Sequence, residues 1–215
     1  MSKITIKNSW DEITLNEFNE IRNILLSDTP EEFKTVAIVG VLTGRDMFEI
    51  EKLPITIFKS LTAHLDFLNH FPEEKLYQKD VYEVNGRKYI LQANIPSITT
   101  AQYIDYSNYS KETEQDMRKI IGCFLIPEGH DYNDGYDMMM VWKDMGDMIY
   151  REVQSVAFFL QRQYGAFTII TLDSLVQSQR KKMKKKSRKE WRQFKDRVHH
   201  LAHTVYSLTF SGYQK

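Results

Sequence analysis

The segment 126–138, IPEGHDYNDGYDM, concentrates residue types that bind metal ions or transfer protons. A calcium loop of the EF-hand type needs a glycine at its sixth position and a bidentate glutamate at its twelfth. Counted from Asp131, the glycine is fifth and Trp142 is twelfth; counted from His130, the glycine is sixth but the first aspartate is lost. The spacing therefore predicts no calcium site.

Other metal-binding and catalytic patterns are also incomplete. His130 has no second histidine or cysteine at zinc-ligand spacing, and His199 and His203 lack a third ligand. The single cysteine, Cys123, lies in the apolar run KIIGCFLIP, which is typical of a buried side chain rather than a nucleophile. The glycines of 39–46, VGVLTGRD, lack the Gly-Lys-Ser/Thr end of a phosphate-binding loop. We therefore expect no catalytic residue, no cofactor and no metal, in a chain that is not an enzyme.

The same segment reads more fully as a shaped loop. Pro127 predicts a helix end, Gly129 and Gly135 permit positive φ, and the Asp and Asn side chains favour turns, with Asp137 placed to cap the next helix. Aromatic rings can anchor such a loop by burial while their hydroxyls reach polar partners. We predict that the loop contacts other proteins, with two tyrosines as interaction residues, Tyr132 and Tyr136.

Helix start signals dominate the first seventy residues. The segment TLNE (14–17) is a capping box, and TPEE (29–32) predicts a second start with Thr29 as the cap. A short helix is predicted from DMFE (46–49), and apolar residues at steps of three and four predict another after Pro54.

The middle of the chain favours a β-hairpin. Apolar and polar residues alternate around Asn85-Gly86, a pair typical of two-residue hairpin turns, so Val81–Val84 should pair with Lys88–Leu91. A lone hairpin is marginally stable in water, and the segment KITIK (3–7) is a candidate third strand.

Helices resume after the hairpin. Thr99 and Gln102 form another capping box, a longer helix is predicted over about 111–125, and a further one near 151–164.

The last part of the chain is strongly basic. From Arg180 to Arg197, eleven Lys and Arg stand against Glu190 and Asp196, a local charge of +9. The whole chain has a formal net charge of zero, so the remainder carries about −9. Such asymmetry favours a partner for the basic end, either nucleic acid or an acidic protein surface, although a solvated face also fits. The residues predicted to make these contacts are Arg180, Lys181, Lys182, Lys184, Lys185, Lys186, Arg188, Lys189 and Arg192.

A seven-residue apolar seam overlaps this basic run. It consists of Trp191, Phe194, Val198, Leu201, Val205 and Leu208, at steps of 3, 4, 3, 4 and 3. The seam predicts self-association into a homo-oligomer or docking on a neighbour, with Val198 and Leu201 as interaction residues.

Composition agrees with a folded protein of the mainly α (α+β) class. The chain has 215 residues, 42% of them hydrophobic, and one cysteine, which fits a reducing compartment. No window has the length and apolar character of a membrane span. We predict a helical body with one small β-hairpin over 1–167 and a basic helical C-terminal extension over 168–215, acting in a cytoplasm without membrane contact.

A set of short motifs resembles a group of small morphogenesis proteins of tailed bacteriophages that infect Bacteroidetes. The matching stretches cover about residues 9–165 and include SW-DEIT (9–14), GVLTG (40–44), T-AQYID (100–105), CFLIPEGHDYNDGYD (123–137) and SVAFFL (155–160). Members are described as tail-assembly chaperone-like or as virion structural proteins. The resemblance implies a non-enzymatic protein of the host cytoplasm, or of the virion, whose partners are other phage structural or tail proteins.

Two roles stay open at this point. A tail-assembly chaperone needs a helical body with grooves for amphipathic helices, and the methionines clustered over 138–148 would suit variable partners unless they fill the core. A virion component, such as a neck or ring subunit or a protein packaged with the genome, would contact DNA through its basic segment.

Overall fold

The computed structural model describes residues 4–70, 79–92, 94, 97–110 and 116–163. The helices are α1 (Leu15–Leu26), α2 (Glu31–Thr43), α3 (Met47–Glu51), α4 (Ile55–Thr62), a 3-10 helix (Ala63–Asn69), α5 (Thr100–Tyr109), α6 (Met117–Gly122), α7 (Met138–Asp147) and α8 (150–163). The strands are β1 (Val81–Val84), β2 (Arg87–Leu91) and β3 (Leu125–Pro127), in one antiparallel sheet of order β1-β2-β3. The predicted class, mainly helical with a small β element, is confirmed.

The N-terminal helices begin largely where the capping signals place them. Thr14 forms the complete capping box of α1, and Asp46 caps α3 by accepting from the amide of Phe48 at 2.8 Å. The prediction for Thr29 is wrong. The N-cap of α2 is Pro30, without a side-chain cap, because Thr29 precedes it and helical geometry begins only at Glu31.

The predicted hairpin is confirmed with its turn. Val81–Val84 pairs with Arg87–Leu91, and Asn85 and Gly86 both have positive φ, 52° and 72°. Tyr82 and Tyr89 are cross-strand partners and are both buried. The hairpin therefore places two aromatic rings on the core side of the sheet.

The third strand begins at Leu125, the last residue of the helix predicted over about 111–125, and includes Ile126 and Pro127, where that helix was expected to stop. α6 ends at Gly122, and Leu125–Pro127 pairs with β2, whereas residues 4–7 form no strand. Leu125, Ile126 and Pro127 are all buried, as in a strand that is covered on both faces. A short apolar run of this kind cannot be distinguished from buried helix by periodicity, and the residue before proline favours extended angles.

The main core lies between the sheet and helices α6, α7 and α8. It contains Tyr82, Tyr89, Phe124, Val141 and Val156, among others. Burial of each large apolar side chain contributes about 1.5–3 kcal/mol. Smaller clusters join α1 to α2 and join α2 to α3 and α4.

Two backbone hydrogen bonds connect the start of α1 to the α7–α8 junction. The amide of Leu15 donates to the carbonyl of Met148 at 2.9 Å, and the amide of Tyr150 donates to the carbonyl of Ile13 at 2.7 Å. The rings of Phe18 and Tyr150 stack beside this bridge with centroids 3.8 Å apart. The N-terminal helices are thereby fastened to the last described helix.

The predicted boundary near residue 167 and the basic extension lie outside the described residues. Among the residues that are described, no helix has both the length and the apolar character needed to cross a membrane.

Candidate protein-interaction site

The loop that raised the question of chemistry, residues 128–137, connects β3 to α7 and is called here the acidic loop. Its backbone turns through three residues with positive φ: Gly129 at 83°, Asn133 at 63° and Gly135 at 72°. Glycine and asparagine adopt these angles at little steric cost. The loop ends at Asp137, which caps α7 by accepting from the amide of Met139 at 2.8 Å, as predicted.

Short hydrogen bonds within the loop hold its shape. The amide of His130 donates to the carbonyl of Pro127 at 3.1 Å, and the amide of Asp134 donates to the carbonyl of Asp131 at 2.9 Å. The Nδ1 atom of His130 lies 3.0 Å from the carbonyl oxygen of Asp134, which fits the tautomer protonated at Nδ1. His130 therefore closes the loop through the contact of its ring with the carbonyl of Asp134.

Two tyrosines anchor the loop, as the sequence predicts. The ring of Tyr132 is 7% exposed, and its hydroxyl donates to Oδ2 of Asp105 at 2.7 Å. The half-buried Tyr136 accepts the amide of Asn133 at 3.3 Å, and its ring meets that of His130 edge to face. Tyr132 thus acts from inside the fold, and Tyr136 is the one of the pair that reaches the surface.

The cysteine beneath the loop is a packing residue. Cys123 is fully buried, with its Sγ atom 3.8 Å from the Tyr132 hydroxyl. Burial raises the pKa of the thiol to about 12. Burial likewise raises the pKa of Tyr132, with the nearby Cys123 and Asp105 adding to the effect. Both groups remain protonated at neutral pH.

The outer face of the loop carries negative charge. Glu128, Asp131, Asp134 and Asp137 are all exposed. Across the described ranges of the chain, no group of three or more His, Cys, Asp and Glu side chains is arranged to hold a metal ion. What the loop offers is a fixed backbone with carboxylates directed to solvent.

An ion pair between the buried Asp144 and the partly exposed Arg87 fixes α7, the helix into which the loop leads. Asp144 is fully buried and accepts from Arg87 twice, from Nε to Oδ2 at 2.6 Å and from Nη2 to Oδ1 at 2.5 Å. The hydroxyl of Tyr89 donates to Oδ2 as well, and Nδ2 of Asn85 donates to Oδ1 at 3.0 Å. Four hydrogen bonds to Asp144 therefore connect the hairpin to α7, and Nδ2 of Asn85 donates a fifth to Oδ2 of Asp147 at 3.0 Å.

The electrostatics of this pair follow from its surroundings. Burial by itself would raise the pKa of Asp144, but the hydrogen bonds from Arg87, Tyr89 and Asn85 outweigh it, and the pKa is lowered. Burial, together with the bond to Asp144, raises the pKa of Tyr89 to about 12. The sequence analysis did not single out Asp144. The sequence feature that could have identified Asp144 is a carboxylate on the apolar face of α7, between Val141 and Met148.

The methionines near the loop divide between interior and surface. Met145 and Met148 are buried in the main core, whereas Met139 is 66% exposed. If the methionines over 138–148 bind variable partners, Met139 is the one most able to contact them.

A second candidate surface lies between α1 and α2, and the sequence analysis missed it. It is a groove of about 720 Å³, here called the α1–α2 groove. Its α1 wall comes from residues at steps of three and one, Asn16, Asn19, Glu20, Asn23, Ile24 and Ser27, and its other wall includes Phe33, Lys34, Ala37 and Met47. Lys34 extends along this wall and donates to the carbonyl of Leu25 at 3.1 Å, near the C-terminus of α1.

The basic residues predicted to contact DNA or an acidic partner, Arg180 to Arg192, lie outside the described residues, as do Val198 and Leu201. Comparison of the chain with protein-family models, with curated proteins and with solved structures finds no match.

Proposed function

We propose that this chain is a non-enzymatic bacteriophage morphogenesis protein that assists tail assembly by binding other phage proteins, as a tail-assembly chaperone does. The observation that carries the proposal is the acidic loop. Its inward groups, including Tyr132 and the backbone around His130, are bonded within the chain, while its carboxylates are exposed. The phage context comes from the motif resemblance over about residues 9–165.

A preformed loop favours binding for an energetic reason. Association costs conformational entropy wherever a flexible segment must be ordered, and a loop already fixed by its own hydrogen bonds avoids most of that cost. The exposed carboxylates of Glu128, Asp131 and Asp134 would complement a basic partner surface and accelerate encounter with it.

The titratable groups in the interior support a binding role over catalysis. Cys123 and Asp144, whose pKa values are shifted, are fully buried and bonded within the chain. A catalytic thiol or carboxylate must reach a substrate, and these two contact only their protein neighbours.

A second role, virion structural component, is favoured by the charge of +9 between Arg180 and Arg197. Clustered Lys and Arg release counterions from DNA phosphates and bind without sequence preference. In this role the protein would leave the host cytoplasm inside the particle.

Co-purification tests the first role. The tagged chain, expressed with the tail proteins of its phage, should recover one of them, and Asp131→Lys with Asp134→Lys should lower that recovery. The control pair Asp66→Lys with Asp80→Lys alters exposed aspartates outside the loop and should have no effect. Equal recovery by both variant pairs would remove the loop from the proposal.

Mass spectrometry of purified particles separates the two roles. A chaperone should be scarce in particles, whereas a structural component should be present in stoichiometric amount. The DNA contact predicts retention that falls steeply with salt and is lost when Lys184, Lys185 and Lys186 are changed to Glu. Retention that ignores salt would contradict it.

A further inference from the structure

The α1–α2 groove displays apolar surface that nothing in the described chain covers fully. Phe33, on its α2 wall, is 48% exposed, and Leu25 and Leu26, at the end of α1, are 50% and 69% exposed. The volume of about 720 Å³ also falls within the range of clefts that bind ligands.

Acidic residues lie in the groove lining and next to lining residues in the chain. Glu20 lines it, and Asp28, Glu31 and Glu32 are exposed around the α1–α2 connection. Lys34 in the groove forms an ion pair with Glu31 at 2.9 Å and donates a hydrogen bond to the carbonyl of Leu25. The groove therefore combines the apolar side chains of Ile24, Phe33 and Met47 with carboxylates at and near its lining, and this combination suits an amphipathic segment that carries positive charge.

One segment of this chain has that chemistry. Residues 184–208 combine the lysines of the basic run with the apolar seam from Trp191 to Leu208. The described body ends at Gln163, and the chain between Gln163 and Trp191 can extend over about 90 Å. A body of this size has a radius of gyration of only about 15 Å, so the segment can reach the groove.

We propose that the α1–α2 groove is the docking site of this chain's own segment 184–208. The seam side chains pack beside Phe33, and the lysines meet the exposed carboxylates of Glu20, Glu31 and Glu32. An amphipathic helix of a partner protein would then have to displace this segment, so the chain's own C-terminal part would block the groove until a partner binds.

Photo-crosslinking in the full chain tests the docking. With p-benzoylphenylalanine in place of Phe33, irradiation should join the groove to peptides within 184–208, as identified by mass spectrometry. The same group in place of Ile104 on α5 is the matched control, because Ile104 is 50% exposed and lies outside the groove. The yield of cross-links to 184–208 should be higher from position 33 by about fivefold or more.

Seam variants provide a second measurement. Val198→Asp with Leu201→Asp would place charge in an apolar groove and should lower the cross-link yield about fivefold or more. His199→Asp with Ala202→Asp changes neighbouring positions off the seam and should leave the yield largely intact. Circular dichroism of both double variants confirms that the body remains folded.

Three results would overturn the proposal. The first is equal yield from positions 33 and 104, and the second is equal loss in the two double variants. The third is a set of cross-links that join heavy and light chains in an isotopically mixed sample, because the groove would then bind a second copy. Cross-links confined to single chains support docking within one molecule.

Discussion

Removing one buried hydroxyl measures the contribution of the Tyr89–Asp144 hydrogen bond to stability. Tyr89→Phe deletes the donor to Oδ2 of Asp144 and keeps the ring, which is fully buried. Hydrogen bonds to charged groups contribute about 1.5–3 kcal/mol to stability. Oδ2 retains the bond from Arg87 Nε at 2.6 Å, so we expect a loss of about 2 kcal/mol in the free energy of unfolding rather than the upper limit.

The hairpin supplies a matched control. Tyr82 is the cross-strand partner of Tyr89 and is 1% exposed, but its hydroxyl only accepts the amide of Lys79 at 3.2 Å. Lys79 is exposed, so water can replace the lost acceptor, and Tyr82→Phe should cost about 0.5 kcal/mol. Urea unfolding followed by circular dichroism gives both values, provided that the m-value stays constant.

A double-mutant cycle identifies the cause. If the effect of Tyr89→Phe operates through the carboxylate, it should shrink by about 1–2 kcal/mol in the Asp144→Asn background. Equal costs for Tyr89→Phe and Tyr82→Phe, or no coupling with Asp144, would refute the assignment of the Tyr89–Asp144 hydrogen bond as stabilising.

Three further outcomes are expected. The pKa of Asp144 is lowered from 3.8 in the folded state, so its contribution to stability is present above pH 3.8 and is lost as pH falls through the folded value. The urea midpoint of the parent chain should therefore drop across this pH range, and that of Asp144→Asn should drop less. Parallel curves of midpoint against pH would contradict this. Cys123, with its pKa raised to about 12, should resist iodoacetamide at pH 8 in the folded chain and react in urea; similar rates in both states would show an accessible thiolate. Gly40→Ala should destabilise the chain by about 1–3 kcal/mol although alanine favours helices, because its Cβ atom would lie 3.0 Å from the carbonyl oxygen of Arg45. A variant as stable as the parent would show that the backbone at Arg45 can shift to make room.

Local signals in the sequence were sufficient for several elements. The capping boxes at Thr14 and Thr99 and the Asn85-Gly86 turn appear in the structure as predicted. These features depend on contacts within a few residues, so the local sequence contains all the groups involved. The turns of the acidic loop, with Gly129 and Gly135 at positive φ, belong to the same class.

Pairing between strands that are distant in the chain could not be predicted from the local sequence. Whether 125–127 is helix or strand depends on the free edge of β2, which accepts Ile126 opposite Ile90. The candidate third strand at 3–7 had equally suitable local composition, and only the packing of the body decides which segment reaches that edge.

The acidic loop itself shows both contributions. By itself, the sequence determined that residues 128–137 turn tightly, carry carboxylates and lack the spacing of a calcium loop. Only the tertiary structure decided that Tyr132 points inward to Asp105, that Asp144 meets Arg87 across the hairpin, and that α1 and α2 leave a groove between them. The physical reason is that turn and cap energies depend on neighbours in sequence, whereas burial and ion pairing depend on groups that only the folded chain brings together.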